Sequence, residues 1–134
     1  MKLAHALLDS IISSGDEYSP VVFICKNDDA LNRLIDNFKA MCVQKSIKLF
    51  DGCSMIISSD ISMPKAPNNV CVLFENLQFM AGNSQYEKNF FDLFNILWGN
   101  HYPMLITLNQ ELKYLHFEDR NKARFHWGFI HTIE

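Results

Sequence analysis

Leu3, Leu7, Leu8, Ile11 and Ile12 recur at helical spacing, so the pattern predicts an amphipathic helix at the start of the chain, stopping near Ser13-Ser14-Gly15. The run VVFIC (Val21 to Cys25) is continuously apolar and rich in β-branched residues, as in a strand covered on both faces. Ala30, Leu31, Leu34, Ile35, Phe38 and Met41 then restore the helical period, with Asp28 or Asp29 near the helix N-terminus, where a carboxylate is favoured. Residues 46 to 58 predict one or two short strands with a turn at Asp51-Gly52. Ser59 to Asn69, containing Pro64 and Pro67, reads as a loop leading into VCVLF (Val70 to Phe74), a second buried strand.

Ser84-Gln85-Tyr86-Glu87 has the form of a capping box, with Ser84 as the cap and Glu87 reciprocating. Along the helix that follows, Glu87, Phe90, Phe91, Phe94, Leu97 and Trp98 lie on one side, and this aromatic stripe is expected to be core rather than a ligand platform. Pro103 to Thr107 is a third buried strand, residues 111 to 116 and 119 to 125 are short helical candidates, and Trp127 to Ile133 is a closing strand. Strands alternating with helices imply a three-layer α/β sandwich around a parallel sheet. Ligands of such sheets sit beyond the carboxyl ends of the strands, which directs attention to Lys26 to Leu31, Glu75 to Gln78 and Leu108 to Gln110.

Composition narrows the functions. The 134 residues are one ordinary domain's worth, so separate cofactor and substrate modules are not expected, and 49% hydrophobic residues suffice for a packed core. A formal charge of −3 supplies no global attraction to a polyanion. Basic residues are scattered, with Lys39, Lys45 and Lys48 as a candidate local patch that lacks the interleaved aromatics of single-strand binders. Cys25, Cys42, Cys53 and Cys71 show no CxxC pair and read as core thiols in a reducing compartment. His5, His101, His116, His126 and His131 show no metal-ligand spacing, so neither a metal nor another cofactor is expected. No apolar run reaches the roughly 18 residues of a membrane span, and the chain reads as cytoplasmic.

The segment from Leu73 to Ile133 resembles the AAA+ domain of the bacterial replication initiator DnaA and its relatives, including the regulator Hda and initiator-like helicase loaders. In that family a buried strand ends in two acidic residues before a Q-F-L-A-G-like run. Here Glu75 and Asn76 precede Leu77-Gln78-Phe79-Met80-Ala81-Gly82. The polar sensor position at the end of the next strand is matched by Thr107 to Asn109, and the E-D-R-L-x-S-R-F-x-W-G stretch by Glu118-Asp119-Arg120 and Arg124-Phe125-His126-Trp127-Gly128. Upstream, SPVVFICKNDDALNRLI occupies the place of the family's phosphate-binding Walker A loop. Leu31 stands where the lysine would be and Asn32 where the magnesium-binding hydroxyl would be. Cys25, Lys26, Asp28 and Ala30 replace the glycines. A phosphate cradle needs glycines, so that successive backbone N–H groups converge, and a lysine to meet the charge.

The resemblance implies a degenerate nucleotide site made of Lys26, Leu31, Asn32, Glu75, Asn76 and Asn109, with no catalytic residue: Glu75 alone could approach a magnesium ion, and Asn76 cannot be a base. It also implies a trans-acting role for Arg124, whose counterpart reaches a neighbour's nucleotide, with Arg120 one turn earlier on the same helix face. Pairing of these arginines with Glu118 or Asp119 is the alternative. The family's helical lid would lie beyond Glu134, so residues 1–134 are expected to be a single degenerate initiator-like AAA+ core without it. The resulting expectation is a non-enzymatic, nucleotide-independent adaptor, from a cell or a mobile genetic element, that recruits or inhibits a replication initiator or replicative helicase. Homodimerisation is compatible with it. The alternative is a DNA-binding module in replication or mobile-element maintenance, acting through Lys39, Lys45 and Lys48.

Overall fold

The computed structural model describes residues 2–14, 17–61, 63 and 69–133. Among them β1 (Val21–Cys25), β2 (Lys48–Asp51), β3 (Val70–Phe74), β4 (Met104–Leu108) and β5 (Phe129–Ile133) form one sheet in the order β2-β3-β4-β1-β5. All four pairings are parallel, and Val21 of β1, between β4 and β5, lies opposite both Leu105 and Phe129. The inner strands β1, β3 and β4 are buried at every position, which is why their sequences are apolar apart from Thr107 in β4. The edge strands β2 and β5 retain polar residues and mixed exposure.

Successive side chains of β1 enter opposite layers. Val21, Phe23 and Cys25 pack with α1 (Lys2–Ser14) and α2 (Asp28–Gln44), through Leu8, Leu31, Leu34 and Phe38 among others. Val22 and Ile24 belong to the other layer, built on α3 (Gly52–Ser58), α4 (Ser84–Gly99) and α5 (Asp119–Phe125), where Phe90, Phe94 and Phe125 are fully buried. This is the three-layer parallel sandwich that the alternating pattern predicts. No described helix is long and apolar enough to cross a membrane.

Several local expectations need correction. The stretch 46–58 is one strand followed by a helix: Asp51 is the cap of α3, accepting from the Ser54 N–H at 3.1 Å and its hydroxyl at 2.9 Å. Gly52 serves packing rather than a hairpin, because a Cβ there would run into the Phe74 ring. At α4 the cap is Asn83, accepting from Tyr86 N–H at 3.0 Å, and Ser84 is the first helical residue. Gly82, at φ +82°, turns the chain one residue earlier than the capping-box reading requires. Glu87 is therefore not the reciprocal partner of Ser84. Its side chain is buried and accepts from Gly82 N–H at 3.3 Å.

The aromatic stripe divides. Phe90, Phe94 and Leu97 are core, joined by Leu93, whereas Phe91 is half-buried and Trp98 is 39% exposed. The expected third strand is shifted by one residue, to 104–108, and the closing strand begins at Phe129 because Trp127-Gly128 is a turn. Gly128 sits against the backbone of Pro20, where a Cβ would overlap, and Phe129 N–H donates to Pro20 C=O at 2.9 Å. Between 111 and 116 there is only a 3-10 turn, Leu112–Tyr114. Of the expected 59–69 loop, Pro64 and Pro67 lie outside the described residues, as does Gly15 after the first helix.

The capping assignment makes Asn83→Ala costly by about 1 kcal/mol and Ser84→Ala by less than about 0.5 kcal/mol, read from urea midpoints at constant m. All four thiols are free. Burial pushes Cys42 up from 9.0 to about 11, and burial followed by the Asp51 charge pushes Cys53 up to about 12. Above pH 9 the unfolded chain thus releases protons that the folded chain retains. Their contribution to stability is complete below pH 9 and lost as pH rises through the folded values. Urea midpoints are expected to fall over this alkaline range, and less steeply in Cys42→Ala than in the unsubstituted chain.

Candidate functional site

The carboxyl edge of the sheet holds the residues that resemble a nucleotide site. Only Lys26 and Asn27 connect β1 to α2. Asn27 is the helix cap: its side-chain oxygen accepts from Ala30 N–H at 3.1 Å and its backbone carbonyl from Leu31 N–H at 2.9 Å. Asp28 and Asp29 fill the first turn, and the exposed Lys26 amine lies 3.8 Å from Glu111. Leu31 is 1% exposed and packed in the α1–α2 layer, while Asn32 is exposed. Lys26, Leu31 and Asn32 do not converge. The end of β1 offers an incoming anion the Lys26 ammonium group beside Asp28, Asp29 and a Glu111 that Lys113 also pairs at 3.3 Å, with the Ala30 amide already engaged by the cap.

Glu75, Asn76 and Asn109 do come together, at the ends of neighbouring strands. Asn76 is in the left-handed region (φ 55°, ψ 55°) and donates its N–H to Thr107 Oγ1 at 2.9 Å. Asn109 N–H donates to Gln78 Oε1 at 3.3 Å, so these polar residues tie the end of β3 to that of β4. Among the described residues Asn109 Oδ1 is buried without a hydrogen-bond partner. Glu75 pairs with Lys39 at 3.4 Å beside a cavity of about 120 Å³ lined also by Leu49, Phe50, Asp51 and Leu73.

That pairing breaks up the expected basic patch. Lys39 reaches Glu75 from α2, whereas Lys48 lies 5.1 Å over Phe50, whose ring packs in the opposite layer, and Lys45 caps the end of α2. Alternation along β2 puts Lys48 and Leu49 on different faces, so the three lysines do not form one surface. Among the described residues no group of His, Cys, Asp and Glu is placed to hold a metal ion.

Arg120 and Arg124, by contrast, are brought together. They are one turn apart on α5, their guanidinium carbons 4.4 and 4.8 Å from the centroid of the same ring, Phe91. Arg120 is also paired with Glu118, through Nε and Nη2, each 3.1 Å from Oε1. Arg124 makes no ion pair among the described residues. Its Nε–H donates to Asn95 Oδ1 at 3.2 Å and its guanidinium lies 4.1 Å from Trp127. Trp127 contacts Trp98 in turn, with ring centroids 5.1 Å apart. Half-buried Arg124 thus lies on aromatic faces beside tryptophans 39% and 43% exposed. Sequence reasoning found the arginines but missed Phe91, Asn95 and Trp98 as their supports. The available signal was the spacing Glu87, Phe91, Asn95, four residues apart and flanking the core stripe.

Comparison with known proteins places this geometry. The family described as the bacterial DnaA ATPase domain matches residues 63–132. The chromosomal replication initiator DnaA of Clavibacter sepedonicus is 31% identical over 77 residues, 57% of this chain and 16% of that protein. The DnaA of Geotalea daltonii is 34% identical over 64 residues, 47% of this chain and 14% of that protein. The chain thus spans less than a fifth of the length of these curated relatives. Among solved structures, domain III of Thermotoga maritima DnaA superposes with a TM-score of 0.79 at 18% identity, over 99% of this chain and 62% of that one. AMPPCP-bound DnaA from Aquifex aeolicus gives 0.78 at 17% identity, over 99% and 46%. The fold likeness covers the α1–α2 half as well, although the family match begins only beyond it, at residue 63. By that match and by its parallel α/β core, the chain belongs to the bacterial DnaA ATPase-domain family of AAA+ proteins.

Proposed function

We propose that this chain regulates the initiation of DNA replication without a nucleotide of its own, by binding a replication initiator or replicative helicase through the face that carries Arg120 and Arg124. Residues 1–134 act in this reading as one domain, an initiator-like core with a degenerate Walker A loop, of the kind exemplified by the regulator Hda. The observation that carries the reading is the state of Arg124: supported by Asn95, Phe91 and Trp127, it has no carboxylate to neutralise it among the described residues. A rigid, unneutralised fork at a surface is suited to an anion supplied by another molecule, including the phosphates of a partner's nucleotide.

Nucleotide independence is supported by the other edge of the molecule. The two-residue β1–α2 connection leaves no glycine loop, Asn27 occupies an amide that a phosphate would need, and Leu31 is core where a lysine would be required. These residues suit a triphosphate poorly. The acidic pair is reduced to Glu75, itself engaged by Lys39. A DNA-binding role through Lys39, Lys45 and Lys48 has less support, because Lys39 is on the opposite face of the sheet from Lys48.

Two measurements test this reading. Tagged wild-type protein, with nuclease present, is expected to retain purified initiator or helicase, and Arg124→Ala to bind about tenfold more weakly or worse. Equal binding by the two proteins removes the arginine face from the function. Titration with MgATP is expected to give no saturable heat, and saturable binding that disappears in Glu75→Ala overturns nucleotide independence.

A further inference from the structure

Glu87, Phe91, Asn95 and Trp98 occupy one flank of α4 at intervals of four, four and three residues, and each receives a different part of α5 or of the turn behind it. Glu87 Oε1 accepts from Glu118 N–H at 2.6 Å and from Asn121 Nδ2 at 3.3 Å, fixing the first turn of α5. Asn121 Nδ2 also donates to the Glu87 backbone carbonyl at 3.0 Å. Phe91 lies under both guanidinium groups, Asn95 takes the Nε–H of Arg124, and Trp98 backs Trp127. The whole stripe is buried or braced at its Glu87 end and opens towards solvent at its Trp98 end.

A guanidinium group offers two edges to an anion: the side edge, made by Nε and one terminal nitrogen, and the end, made by the two terminal nitrogens. In Arg120 the side edge is closed by Glu118. In Arg124 it is closed by an uncharged carboxamide, which occupies the donor and leaves the charge. We infer that the α4 stripe is a mount that presents Arg124 end-on, through its two terminal nitrogens alone, to an oxyanion projecting from a partner, and that Asn95 is the positioning residue that selects this geometry. The inference rests on the reading of Arg124 as a partner-contacting residue. Phosphate and carboxylate share the chemistry required, and the two are separated by the choice of probe.

Both tryptophans of the chain lie within this cluster, so tryptophan emission, excited where the tyrosines do not absorb, reports on it. The experiment titrates the full chain at low salt with inorganic triphosphate and, separately, with tricarballylate, a tricarboxylate. The wild-type emission is expected to change saturably, and the more effective anion identifies the source. Asn95→Asp keeps the size and the Nε hydrogen bond but neutralises the fork, and is expected to weaken the response about tenfold with an unchanged thermal midpoint. Arg124→Lys, which keeps charge but not the fork, is expected not to restore binding. Gln85→Glu adds the same charge near the other end of α4 and is expected to shift affinity by less than about twofold. Wild-type affinity in Asn95→Asp overturns the mount while leaving the reading of Arg124 intact. Absence of a wild-type response to either anion overturns the end-on site, whereas partner binding unaffected by Arg124→Ala overturns the reading on which it rests.

Discussion

A strand with both faces buried can satisfy its backbone only through neighbouring strands, and its first chance to present a polar side chain is where it stops. β1, β3 and β4 are in that position, and the polar contacts along the carboxyl edge of the sheet follow from it. At the carboxyl ends the Asn76 N–H is taken by Thr107 and the Asn109 N–H by Gln78, which ties two strands together and leaves Asn109 Oδ1 unpartnered among the described residues. Lys26, Asn27 and Glu111 manage the end of β1 in the same way. In the AAA+ fold this edge is the natural ligand site. In this chain it is largely occupied by the chain's own groups.

The layer containing α4 is organised differently. One side of α4 supplies Phe90, Leu93, Phe94 and Leu97 to the core, and the adjoining side supplies Glu87, Phe91, Asn95 and Trp98 to α5. A seven-residue helix is too short to be stable by itself, so α5 depends on these contacts for its position. Burying the Glu87 carboxylate is tolerable because backbone N–H groups and the Asn121 amide meet it. The arginines are therefore located by a rigid neighbour rather than by their own helix.

VVFIC, VCVLF and the run from Met104 announce the sheet, because burial on two faces leaves almost no polar position, Thr107 excepted, to confuse the period. Asp51-Gly52 misled, since a cap followed by a packing glycine has the same letters as a hairpin turn. Asn83 was passed over for Ser84 because capping chemistry is nearly degenerate and only the Gly82 turn decides between them. At the site, the arginines were found through family resemblance and spacing. Their supports were not, because Phe91 and Trp98 look like core residues until the position of α5 is known. The lysines failed as a patch for a related reason: proximity in sequence across a helix end and a strand does not put side chains on one face.

β1 is an inner strand of the sheet, yet both of its neighbours come from late in the chain: Val21 is paired with Leu105 and Phe129. During synthesis this most apolar segment emerges long before β4 or β5 exists, while β2 and β3 are available to pair with each other. Until the second half of the chain has left the ribosome, VVFIC is a strand without a sheet, shielded only by what α1 and α2 can cover. The strand order thus delays closure of the sheet around β1 and leaves its apolar edges open while the chain is incomplete.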